Sequence, residues 1–111
     1  MSRRAYRVEW AEAASRDLIG VIDYLSERNP DAAARILERL KRRAASLQRA
    51  PERGRVVPEL ERFQLREYRE VVVPPYRLIY RVIGRRVLVL GVLDSRRNLE
   101  DILLERLVGG S

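Results

Sequence analysis

The spacing of apolar residues changes twice along this chain. After a short strand-like stretch, YRVEW (Tyr6 to Trp10), Ala14, Leu18, Val21, Ile22 and Leu25 recur at helical intervals between Ala11 and about Glu27. Asn29 stops that helix and caps the next, where Pro30 suits the first helical position and Asp31 the positive end of the helix dipole. The second helix carries Ala33, Ile36, Leu37, Leu40, Ala44 and Leu47 on one stripe and ends before Pro51, so the pair forms an αα-hairpin. PERGRVVPEL (Pro51 to Leu60), with two prolines and a glycine, reads as a loop.

Beyond that loop the period is that of strands, over Leu65 to Val73, Tyr76 to Ile83 and Val87 to Leu93. Pro74 and Pro75 separate the first two, because neither can donate to a ladder. Gly84 to Arg86 turns the second into the third. VLVLGVL is apolar throughout and suits a strand buried on both faces or lying mid-sheet. Asn98 caps a last helix through Leu99, Ile102, Leu103 and Leu107, with Asp101 at its third position. The order predicts one α+β domain spanning 1–111: an N-terminal strand, a helical hairpin on one face, a three-stranded antiparallel sheet and a short C-terminal helix.

PPYRLIYRV poses the question of function. Tyr76, Leu78, Tyr80 and Val82 face one side of a strand; Arg77, Ile79, Arg81 and Ile83 face the other. The arginines either line the wet face of a half-buried sheet or hold a phosphate or carboxylate there. The tyrosines suit core positions with hydroxyls at the rim, and Trp10 suits packing against the helices.

Composition narrows the chemistry. Cysteine and histidine are both absent, which excludes disulfides, thiol nucleophiles, thiolate metal sites and imidazole proton shuttles. Neither a metal nor a cofactor is expected. Lys plus Arg total 23 against 16 acids, a net charge of +7, and Lys41 is the single lysine. Such an excess points to an anionic partner. No apolar run approaches a bilayer span and no secretory signal is visible, so the expected location is the cytoplasm, away from membranes.

The order of elements resembles the RelE/ParE superfamily of bacterial toxins from type II toxin–antitoxin systems, across nearly the whole chain. The resemblance rests on YRVEW leading into AEAASRDLIGVIDYL, on AAARI in the second helix, and on the turn at Pro51, Gly54 and Arg55. It rests also on YRLIYRV followed by VLVLGVLDSRR. It implies a growth-inhibiting, plasmid-stabilising toxin held in a hetero-oligomer by a cognate antitoxin, with operator DNA contacted only through that antitoxin. ParE-like members inhibit DNA gyrase; RelE-like members cut messenger RNA on the ribosome.

The resemblance also places residues. Arg77 matches the strand arginine that contacts phosphate in RelE-like nucleases, and Arg55 and Glu59 fall where those enzymes keep further catalytic groups. Cleavage through the 2′-hydroxyl needs a base, an acid and cations, and arginine can serve only as the cation. Glu59 as base and Tyr76 as acid complete the conceivable nuclease set, although Glu59 also suits a plain turn residue. Relatives of either branch place histidine or tyrosine near the end of the last strand, where this chain has Asp94. The departure by itself separates neither branch, since ParE-like members often carry histidine there. The lack of an imidazole or phenol to move protons at that position, and an amphipathic C-terminal tail resembling that of ParE-like members, favour the gyrase branch. Arg77, Arg81, Arg96 and Arg97 are then expected to form a basic face for target or antitoxin, with a solvated surface as the plain alternative. Arg35, Arg39, Arg42 and Arg43 read as a solvated helix face.

Overall fold

A computed structural model describes residues 5–102. Its elements are β1 (Arg7–Trp10), α1 (Glu12–Arg28), α2 (Pro30–Ser46), β2 (Arg55–Val56), α3 (Pro58–Glu61), β3 (Tyr68–Val73), β4 (Tyr76–Ile83) and β5 (Arg86–Asp94). A helical turn over 99–102 follows; Leu103, Leu107 and the expected remainder of that helix lie outside the described residues. The α+β class is as the residue pattern predicts.

Local chemistry sets the helix boundaries. The Asn29 Oδ1 accepts from the Ala32 amide at 3.1 Å, and Pro30 opens α2. Asn98 Oδ1 accepts from the Glu100 amide at 2.8 Å and starts the last turn. The end of α3 closes differently: Gln64 adopts φ 65° while the Leu65 amide reaches the Leu60 carbonyl and the Gln64 amide that of Glu61. These paired bonds around a left-handed residue are a Schellman closure.

The sheet has five strands in the order β1-β5-β4-β3-β2. β3, β4 and β5 are antiparallel as predicted, and the whole sheet is mixed because β1 joins it parallel to β5, with Val8 opposite Val87 and Trp10 opposite Val89. The stretch expected to be loop supplies β2 and α3, and β3 begins at Tyr68 rather than Leu65. Two residues suffice for β2 since Arg55 and Val56 pair with Glu70 and Arg69. Past Ala11 the chain leaves the sheet edge, and the Asp17 carboxylate accepts from the Val92 amide at 3.0 Å, in the place a longer β1 would occupy.

The main core lies between the sheet and the helical hairpin. Leu40, Leu47, Leu78, Tyr80, Val87 and Val89 are fully buried there, and Trp10 packs against them. Tyr76, Leu78, Tyr80 and Val82 face the hairpin as their alternation predicts, although β4 and β5 slip register by a bulge between Ile79 and Tyr80. The Tyr80 hydroxyl is not at the rim. It accepts from the Gly54 amide at 2.9 Å and donates to the Pro51 carbonyl at 2.8 Å. Gly54 has to be glycine because a Cβ would stand 2.8 Å from that hydroxyl and still closer to the Glu70 carbonyl.

A second, smaller core covers part of the opposite face. Val57, Ile79 and Leu99 are buried together, flanked by Leu60, Tyr68 and Leu93. The face expected to be open is thus roofed by α3 and the 99–102 turn.

Candidate functional site

Under that roof lies an ion cluster. Arg77 is 8% exposed and points away from the hairpin, as alternation requires, but it is not solvated. Its Nη1 and Nη2 donate to the two Glu59 oxygens at 2.9 and 2.8 Å, and its Nε donates to Glu70 Oε1 at 2.6 Å. The second Glu70 oxygen accepts from Arg55 Nε at 2.7 Å. Strand pairing builds this arrangement. Arg55 lies opposite Glu70, Glu70 opposite Ile79, and α3 brings Glu59 back over β4. Glu70, 1% exposed, had not been singled out; its signal was a lone acid heading EVVV on the alternation face that carries Arg77.

The formal charges of these four side chains cancel. The hydrogen bonds from Arg77 hold the Glu59 carboxyl below its usual pKa, against the opposing effect of burial. A carboxylate with both oxygens occupied and a lowered pKa is a weak proton acceptor. Arg77 in turn is held more firmly protonated by Glu59 and Glu70. The arrangement anchors α3 to the sheet; it offers no surplus positive charge to an incoming phosphate while the pairs are closed.

The structure brings together three of the four residues named for a nuclease, Arg55, Glu59 and Arg77. It separates Tyr76, which follows the opposite alternation and packs in the main core. Burial, and secondly the charge of Asp94, raise the pKa of Tyr76, making it a poorer acid.

The expected basic face is likewise divided. Arg81 stays on the side of Arg77, 5.7 Å from the Tyr68 ring centroid. Arg96 and Arg97 instead border a groove between α1 and the end of β5, with Arg16, Gly20, Tyr24 and Tyr76. There Arg96 grips Asp94 through Nε at 2.9 Å and Nη2 at 2.6 Å, and those bonds lower the Asp94 pKa to about 2. Among the described residues no group of His, Cys, Asp and Glu could hold a metal ion, and no helix is long and apolar enough to cross a membrane.

Comparison with known proteins identifies the scaffold. A family model described as the ParE toxin of the type II toxin–antitoxin system parDE matches residues 8–99. Toxin RelE2 of Caulobacter vibrioides is 40% identical over 91 residues, covering 82% of this chain and 97% of its own. A chain of the chromosomal ParDE system of P. aeruginosa superposes with a TM-score of 0.68 at 18% identity, covering 83% of this chain and 98% of that one. A chain of the Mycobacterium tuberculosis RelBE2 toxin–antitoxin complex gives 0.58 at 26% identity, covering 81% and 98%. With a family match over most of its length and a fold shared with ParDE and RelBE chains, the chain belongs to the ParE toxin family of type II toxin–antitoxin systems, within the RelE/ParE superfamily.

Proposed function

We propose that this toxin acts by binding DNA gyrase and blocking replication, and that a cognate antitoxin silences it in a hetero-oligomer. The observation that carries the reading is the closed Arg77 cluster. The strand arginine is engaged by Glu59 and Glu70, the chain has no histidine, and Tyr76 lies on the other face of β4. A site so short of groups that move protons suits inhibition by binding better than RNA cleavage. The antitoxin partner is supported by the neighbours, which come from ParDE and RelBE2 systems. Purified toxin is expected to inhibit gyrase supercoiling and to accumulate cleaved DNA; unimpaired supercoiling at molar excess rejects the reading.

The name of the 40% identical relative, RelE2, favours a second reading. As a ribosome-dependent endoribonuclease, the protein would use Arg55 and Arg77 on the phosphate after Glu59 swings away. Transcript cleavage in toxin-expressing cells, abolished by Arg77→Ala, distinguishes this from gyrase inhibition.

A further inference from the structure

The positive charge is unevenly spent. Around the sheet and on α1, several arginines are committed to carboxylates: Arg16 to Glu12, Arg66 to Glu61, Arg86 to Glu9, and Arg55 and Arg77 within the buried cluster. Arg28 and Arg81 lie over tyrosine rings, and Arg69 donates to the Gly54 carbonyl. The stretch 30–53, which is α2 and the turn after it, holds seven basic and three acidic residues, four of the chain's seven net positive charges. Five of its cations, Arg35, Arg39, Lys41, Arg49 and Arg53, are exposed and make no ion pair among the described residues.

Helix geometry aligns part of this charge. Arg35, Arg39 and Arg42 fall within about 60° of arc on α2, roughly opposite the stripe that buries Ala33, Leu40 and Ala44. They therefore point straight away from the core, about 6 and then about 4.5 Å apart along the axis. Arg42 shares one acid, Glu38, at 3.3 Å. A row of three cations sharing a single acid costs stability through self-repulsion and relieves nothing inside the fold.

We infer that the outer face of α2 is a binding surface for the phosphate backbone of duplex nucleic acid, independent of base sequence. Three features choose this occupant over other anions. The cations are nearly all arginine, whose fork matches phosphate oxygens in pairs. None of the large apolar side chains exposed among the described residues lies on α2, so the face offers a protein segment or a lipid surface no apolar anchor. The stretch 30–53 contains no aromatic residue on which the bases of a single strand could stack. The surface is separate from the Arg77 cluster and does not depend on whether gyrase or the ribosome is the target.

The test is fluorescence anisotropy of the full chain with a labelled DNA duplex of mixed sequence across a salt series. Binding that weakens with a log–log slope of about −3 to −4 is expected, from three or four neutralised phosphates. The triple variant Arg35→Gln, Arg39→Gln, Arg42→Gln should lose about 2–3 of that slope and at least about tenfold in affinity near 0.1 M salt. A charge-matched variant, Arg16→Gln, Arg62→Gln, Arg66→Gln, should change the slope by less than about 1. Circular dichroism confirms that both variants remain folded. Equal losses in the two variants would reduce the effect to net charge and overturn the assignment, as would absence of duplex binding at low salt. A polyglutamate competitor as effective as unlabelled duplex would also overturn it, assigning the face to acidic protein segments.

Discussion

Glu59, on the single turn of α3, spans both terminal nitrogens of Arg77 in the middle of the sheet at 2.8 and 2.9 Å. The same guanidinium holds Glu70, whose side chain is wholly excluded from water. Removing Arg77 leaves that carboxylate with only the exposed Arg55. Arg77→Met is therefore expected to destabilise the fold by about 3–5 kcal/mol. Glu59→Gln, which retains one accepting oxygen at a partly exposed site, should cost about 1 kcal/mol. Urea unfolding of the two variants measures the ratio, and equal small losses would mean that Glu70 is not buried as described.

Tyr80 predicts a second vulnerable point. Tyr80→Phe deprives the Gly54 amide and the Pro51 carbonyl of their shared hydroxyl, in the main core. A loss of about 1–3 kcal/mol is expected in thermal or urea unfolding. Gly54→Ala should be worse than a surface glycine substitution such as Gly20→Ala, whose added carbon meets nothing within 4 Å.

The groove carboxylate gives a pH signature. Asp94 titrates at about 2 when folded, below its ordinary 3.8, because Arg96 binds the charged form. A depressed folded pKa means that the pair's contribution is complete above the ordinary value and disappears as pH falls through about 2. The contribution is small, since Arg96 is exposed. Carbon-13 NMR of the Asp94 carboxyl should show a midpoint near pH 2, moving up toward 3.8 in Arg96→Gln.

Gln64 offers a stabilising change. Its left-handed φ of 65° closes α3 where glycine is the usual residue. Gln64→Gly should raise the stability by up to about 1 kcal/mol, the relief from the side-chain clash outweighing the entropy glycine gives the unfolded chain. A lower urea midpoint would show that the Gln64 side chain has a role beyond the turn.

Tyr76–Ile83 was legible residue for residue, because its alternation is regular and Pro75 and Gly84 mark its ends. The caps at Asn29 and Asn98 were legible for the same local reason. What escaped was set by distant chain. The pairing of β1 with β5 joins residues nearly the whole domain apart, and β2 exists only because Glu70 and Arg69 lie beside it. Pro58 at the first turn of α3 was the one local hint that the loop-like segment contained a helix. Alternation put Arg77 on the correct face and separated it from Tyr76, but nothing local could show that Glu59 would fold back across it.

At the far edge of the sheet, the bond from the Val92 amide to Asp17 has a consequence for self-association. Bare edge strands recruit other strands, and β5 is apolar enough to aggregate by that route. A side chain already seated on that amide turns part of a sticky hem into a finished one, leaving one donor fewer for a second copy to stitch onto along that margin.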